Sequence, residues 1–369
     1  MRKLAVKGFV VGLCALSIPV FAQAAPKGAG VNAGAPAQIV REKMEGWVKD
    51  GKALGAAAAL YIDGRAEVIS VGRRSKDKDA AAVDAHTLYS IGSITKVFTA
   101  TMLAHLINEG KLKPTEAVDK YLPSYTHLRP AVRGKLTFER LATFTASLPD
   151  GAPAKIKTAE QYFGKYLSHW RPRWPIGSRD KYSDQSYEIL AYLVPRIAKT
   201  DYPAMLSSLI TKPLDMPDTL SIHSSNPDKD RAEGYNARGE KFSFHKDSWN
   251  GVGFLMSTPT DMLNFLQACV GAKPGSDELQ RALKLTWRPY FKINNSSEQG
   301  FAWVVHSVST AHGKRTLISK NGAIGGYFAL MVFDPEAKSG VVFLTSRDSQ
   351  KSKHPPQAFA LAKRILTGG

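Results

Sequence analysis

The sequence predicts an α/β (α+β) protein: an antiparallel sheet of five or more strands flanked by the two terminal helices, beside a mostly helical lobe. Three observations predict this. A strand–turn–strand pattern lies near the amino end, and three more strand-like runs lie near the carboxyl end. The long stretch between them has helical periodicity broken by Pro and Gly. Pairing the terminal strands into one sheet is the simplest assembly, and a cleft between sheet and helices is a natural place for a small-molecule site.

Taken in order, Arg2, Lys3 and Lys7 precede the apolar run Phe9 to Phe21, which ends at the small-x-small site Ala22-Gln23-Ala24. This is the pattern of a cleaved secretory signal over residues 1–24, and the run falls short of the ~20 residues that span a bilayer. The expected address is the periplasm, with no stable membrane insertion after cleavage. Leu13 stands before Cys14 where a lipid-anchoring signal needs a small residue. Cys14 leaves with the signal, so Cys269 has no disulfide partner. Residues 25–35 read as a flexible Gly/Ala-rich lead-in. From Pro36 to Asp50, Val40, Met44, Trp47 and Val48 recur at helical spacing. Ala56–Ile62 and Arg65–Gly72 read as strands joined at Asp63-Gly64, a strong hairpin signal. Ile94 to Cys269 is mostly helical. Thr316–Lys320, Tyr327–Phe333 and Val341–Ser346 read as strands, and Pro355–Leu366 as an amphipathic closing helix. The expected organisation is one domain over 36–366, its sheet lobe from 36–88 and 310–366 and its helical lobe from 89–309.

Composition narrows the function. With 43% hydrophobic and 22% charged residues, the 369-residue chain is neither collagen-like nor disordered. Its net charge of +18 favours anionic partners in general, but no nucleic-acid-binding signature accompanies it. A basic, solvated surface is the reading, with no nucleic acid as partner, and the run from Arg73-Arg74 to Asp79 reads as part of it. Nine histidines without ligand spacing point to no metal, and no cofactor is expected. Gly28 to Ala33 loosely fits a dinucleotide loop but follows no strand, and there is no G-x-S-x-G, H-E-x-x-H or P-loop. Trp170, Trp174 and Trp303 read as core or cleft-wall residues, and Cys269 as a packed thiol.

Ser93-Ile94-Thr95-Lys96 opens a long helix running to Gly110. Three residues apart, Ser93 and Lys96 share a face, and a desolvated amine can take the proton of a hydroxyl that is a poor nucleophile alone. The backbone N–H of a serine at a helix start can also face a developing oxyanion. S-x-x-K alone is a weak signal, and Ser93 could simply cap the helix. Two further pieces strengthen it. Tyr182-Ser183-Asp184 follows a turn-rich stretch, and a tyrosinate held by two lysines would serve as general base and then acid. Lys320-Asn321-Gly322 lies on the first carboxyl-side strand run, the third of the chain, where Gly322 permits close approach of a ligand and Lys320 can bind a carboxylate.

In these elements the chain resembles the penicillin-recognising serine hydrolases, that is, class C β-lactamases and low-molecular-mass penicillin-binding proteins. Their S-x-x-K, Y-x-N and K-T-G elements occur here in the same order. The likeness continues over about residues 36–366. Leu88 to Lys96 is similar to the family's nucleophile segment, Leu141 to Pro149 to "LATHTSGLP", and Pro213 to Met216 to "PLGM". Gly253 to Thr258 resembles a family loop, and Gly300 to Trp303 resembles "GLGW". The resemblance implies a β-lactamase/transpeptidase-like fold with the active site in the cleft. It implies that Ser93 is acylated, that Lys96 helps deprotonate it, that Tyr182 is the acid/base, and that Lys320 orients Tyr182 and a substrate carboxylate. The backbone N–H groups of Ser93 and Ala323 would form the oxyanion hole, with Asp184, Asn321 and Gly322 also lining the substrate site.

The chain departs from the family at two places. Asp184 stands for Asn, and a carboxylate there would favour the ammonium form of Lys96 and remove an amide donor. Asn321 stands for Thr and removes a hydroxyl that commonly touches the substrate carboxylate. These read either as tolerated polar swaps or as altered substrate preference and slow turnover. The leading function is hydrolysis of β-lactams through a Ser93 acyl-enzyme. The alternatives are a D-alanyl-D-alanine carboxypeptidase/endopeptidase, an esterase of the same fold, or a non-catalytic cell-wall binder. A monomer acting on a small molecule or peptide is expected.

Overall fold

Asp63 and Gly64 both have positive φ, +51° and +79°, as a two-residue hairpin turn requires, and they fold β1 (Gly55–Ile62) onto β2 (Arg65–Gly72). The computed structural model describes residues 34–151, 156–221, 230–236, 238–243, 255–273, 275–311, 313–347 and 357–368. The secretory signal, residues 25–33 of the lead-in, Gly253, Phe254 and Pro355 lie outside the described residues. Residues 36–369 form one compact unit.

The hairpin is the edge of an eight-stranded sheet in the order β2-β1-β11-β10-β9-β8-β7-β6. Its other members are β6 (Phe291–Lys292), β7 (Ser297–Gln299), β8 (Val304–Thr310), β9 (Gly313–Ile324), β10 (Tyr327–Asp334) and β11 (Ser339–Ser346). Every pairing is antiparallel. A second, three-stranded sheet joins β3 (Tyr89–Ser90), β5 (Leu255–Ser257) and β4 (Leu220–Ser221).

Side-chain alternation along the central strands divides the interior into two layers. Ala56, Ala58, Leu60, Leu330, Val332, Val341 and Phe343 pack with Val40, Met44 and Trp47 of α1 (Ala35–Lys49) and Leu361, Ala362 and Leu366 near the carboxyl end. Ala57, Ala59, Met331, Phe333, Val342 and Leu344 face the opposite way, into the core shared with the helices of the middle segment. Those helices are α2 (Thr95–Asn108), α3 (Phe138–Ala142), α4 (Asp184–Ile197), α5 (Tyr202–Leu206), α6 (Pro259–Cys269) and α7 (Asp277–Thr286), and the closing helix is α8 (Ala358–Thr367). In α2 every residue from Thr95 to Ala104 is buried, as a helix without a solvated face must be when it sits at the centre of a core.

The strand runs at both ends form as expected, but the large sheet reaches further into the chain than they suggested. β6, β7 and all but the last residue of β8 fall within 89–309, the stretch assigned to a helical lobe; β8 pairs with β9, β7 with β8 and β6 with β7. β6 and β7 have only two and three residues, too few to show a period. The alternation of Val304–Thr310 is blurred by His306 and by several hydroxyl side chains. Arg74 also departs from the solvated reading of its charge run. It is pinned between Asp84 at 2.8 Å and Asp230 at 2.5 Å, and its side chain is mostly covered.

Candidate active site

Ser93 lies on a single 3-10 turn, Gly92–Ile94, that leads directly into α2. That turn runs backbone to backbone against β9. A Cβ on Gly322 would collide with the Ile91 carbonyl oxygen and stand 2.8 Å from the Ser93 nitrogen. A Cβ on Gly92, whose φ is +50°, would stand 2.8 Å from the Ala323 nitrogen. No side chain fits between the two segments, so glycine at both positions brings the amides of Ser93 and Ala323 to one seam.

One helical turn after Ser93, the Lys96 amine reaches back and donates to Ser93 Oγ at 3.2 Å. Tyr182 approaches from the other side, its Oη 2.6 Å from the same Oγ. A loop held by backbone contacts delivers this tyrosine. The Lys181 N–H donates to Phe144 O at 3.1 Å, the Ser183 hydroxyl to Pro149 O at 2.8 Å, and the Phe144 ring lies 4.9 Å from the Tyr182 ring. Ser183 also accepts from the Ser186 N–H as the cap of α4, which places Asp184 in the helix's first turn. From there the Asp184 carboxylate pairs with Lys96 at 2.7 Å, and the Asp184 N–H donates to Asp150 at 3.3 Å. The amine of Lys320, on β9, stands 5.2 Å from the centre of the Tyr182 ring and donates to Asn321 O at 2.8 Å. Asn321 and Ala323 are exposed on that strand, while Gly322 between them is buried. Ser93, Lys96, Tyr182, Asp184, Lys320, Asn321, Gly322 and Ala323, far apart in sequence, thus lie on three elements that meet at one oxygen.

Electrostatics set the protonation states. Lys96 is wholly buried, which pushes its amine below the ordinary lysine value, with the Asp184 carboxylate pulling the other way. Lys320 is pushed down to about 7 by burial and by the positive charge of Lys96, with Asp184 opposing. Tyr182 differs from its expectation. Burial, and then Asp184, drive its pKa up, so the resting group is a neutral phenol and not a tyrosinate. The two lysines stand 5.0 and 5.2 Å from the ring centre, and the hydrogen bond to Ser93 only partly offsets the burial.

Sequence reasoning missed Glu188, one turn along α4 from Asp184. It is 6% exposed, and its carboxyl is pushed up to about 7 by burial and by Asp184. A lone acid in the apolar run Tyr187-Glu188-Ile189-Leu190-Ala191, four residues from a suspected site residue, was the available signal.

A serine hydroxyl shared between a buried amine and a phenol, at the start of a central helix beside a strand, marks a serine hydrolase. The chain belongs to the beta-lactamase family, whose model matches residues 37–364. It is 23% identical over 340 residues to a beta-lactamase of Psychrobacter immobilis, covering 85% of this chain and 84% of that one. It is 26% identical over 309 residues to the D-alanyl-D-alanine-carboxypeptidase/endopeptidase AmpH of Escherichia coli K12, covering 79% of each. Among solved structures, a class C beta-lactamase superposes with a TM-score of 0.82 at 21% identity, covering 92% of this chain and 98% of that one. That likeness carries the fold.

Proposed function

We propose that this protein hydrolyses β-lactams through an acyl-enzyme on Ser93. The single observation that carries the reading is the position of Ser93 Oγ, 2.6 Å from Tyr182 Oη and 3.2 Å from Lys96 Nζ. Lys96, desolvated and therefore inclined to lose its proton, accepts the Ser93 proton as Oγ attacks the lactam carbonyl carbon. The developing oxyanion takes the backbone N–H groups of Ser93 and Ala323. The C–N bond of the lactam then breaks, and Tyr182, a neutral phenol at rest, donates its proton to the departing nitrogen and recovers one from Lys96. Water, deprotonated by the same pair, releases the product. Lys320 faces the substrate carboxylate, with Asp184, Asn321 and Gly322 lining the same site. No cofactor is invoked, and the acting form is a monomer.

A second reading, cleavage of D-alanyl-D-alanine stem peptides, is favoured by one observation. The D-alanyl-D-alanine-carboxypeptidase/endopeptidase of Escherichia coli K12 is 26% identical to this chain over 309 residues. The two readings differ in the lifetime of the acyl-enzyme. Purified protein incubated with a penicillin, a cephalosporin, a carbapenem and a D-Ala-D-Ala peptide, and followed by mass spectrometry, separates them. A penicilloyl adduct that forms and decays within the assay supports the β-lactamase. A persistent adduct with peptide cleavage supports the peptidase. Ester turnover without either favours the esterase, and no adduct in any arm leaves only a binder.

The same reading places the protein in the periplasm after removal of residues 1–24, and no helix among the described residues is long and apolar enough to cross a membrane. Amino-terminal sequencing of the mature chain from its native host tests this, a start at Ala25 being the expected result.

A further inference from the structure

Asp184 is not the only acid that acts on Lys96. Positions 184 and 188 of α4 are four apart and so share a helix face, the one that presents Asp184 to Lys96. Glu188 is 6% exposed, and its Oε2 is buried without a hydrogen-bond partner. Lys96 and Glu188 act on each other electrostatically, the acid favouring the ammonium and the ammonium favouring the carboxylate. The other charged and titratable groups around this pair come from several elements. Asp184 precedes Glu188 on α4, Asp150 in the loop before it also acts on Lys96, and Lys320 on β9 feels both Lys96 and Asp184. Tyr162 donates to Gln185 at 2.9 Å and has its own ionisation opposed by Glu188. Removing a carboxylate oxygen from water without a hydrogen bond is costly, and the cheapest response is to keep the proton.

We propose that Glu188 is a positioning residue for acylation: protonated, it spares Lys96 a further negative charge, and on ionising it drives Lys96 into the ammonium form that cannot take the Ser93 proton. The inference rests on the reading of Ser93 as nucleophile and Lys96 as its base. Its sign follows from the order of events on raising the pH. A lysine base alone becomes more effective as it loses its proton. Ionisation of Glu188 works against that gain, since each unit by which it raises the Lys96 pKa removes about tenfold of the free amine. The carboxyl's position near 7 puts the opposition in the neutral range.

The test is the rate of Ser93 acylation by a fluorescent penicillin between about pH 5 and about pH 9, in the native protein, E188Q and E188D. The expected native profile bends over near neutrality, and E188Q, which cannot ionise, continues to rise and exceeds the native rate by about threefold at the alkaline end. E188D restores the bend. A merely structural role would scale the rate at every pH and leave the bend in place. Superimposable bends in native protein and E188Q overturn the inference while leaving the acyl-enzyme intact. Absence of any Ser93 label in the native protein overturns the functional reading itself, and this inference with it. Should E188Q fail to fold, infrared difference spectra of the native protein decide: a protonated-carboxyl band lost as the pH rises through neutrality supports the inference, and no such band overturns it.

Discussion

The two faces of the central sheet solve opposite problems. On one, α1 and α8 cover alternate residues of β1, β10 and β11 with apolar side chains, and Trp47 meets Phe343 edge to face at 5.6 Å. On the other, the apolar core encloses Lys96, Glu188 and Lys320, all nearly or wholly buried. The first face gains stability from every group it hides, whereas the second gives some up to keep ionisable groups dry. Perturbed protonation at Lys96, Lys320 and Glu188 is what that concession yields. Stability and chemistry should therefore separate cleanly between variants of the two faces.

The sharpest separation is Ser93→Ala. It should abolish covalent labelling by penicillin and lower hydrolysis by at least about 10³-fold, with an unchanged melting temperature. A surviving label would move the nucleophile elsewhere. On the opposite face, Trp47→Ala should cost about 3–5 kcal/mol in denaturant unfolding while the fraction that remains folded acylates at the native rate. Loss of acylation at full folding would break the contrast. Between these lies Gly322→Val, which wedges a side chain into the seam with Ile91 and Ser93. It should slow acylation by about 10²-fold and lower the unfolding stability together with it, since main chain must move to admit the side chain.

How far was this legible beforehand? The hairpin at Asp63-Gly64 and the runs on β10 and β11 were, because turn chemistry and unbroken apolar strands are local signals. So was the grouping of Ser93, Lys96, Tyr182 and Lys320, since their motifs stand in the order of a known family. β6 to β8 were not, being either too short or too polar to show a period. Nor was the neutral state of Tyr182. It depends on burial and on a carboxylate brought in by another part of the chain, and such three-dimensional quantities leave no local trace. Glu188 was in plain view, but only its neighbours across space give it meaning.

Two smaller effects refine the contrast. Lys320, pushed down to about 7, loses its charge as the pH rises through that value. The KM for carboxylate-bearing substrates should therefore climb by about tenfold per pH unit above it, while an ester analogue without the carboxylate is unaffected. A flat KM would remove Lys320 from substrate binding. Asp184→Asn should shift the acylation pH profile toward acid by releasing Lys96 from its ion pair. The change in rate at neutral pH should be about tenfold or less, and an unchanged profile would dismiss the charge argument.

The glycine seam between the Ser93 turn and β9 has a consequence for how this protein can diversify. Main chain against main chain leaves no room for inherited variation at Gly92 or Gly322, so the spacing of the Ser93 and Ala323 amides is common property of any working descendant. Novelty must enter through the exposed neighbours Asn321 and Ala323, one residue to either side of that fixed point, where a new side chain changes the surface presented and leaves the seam alone.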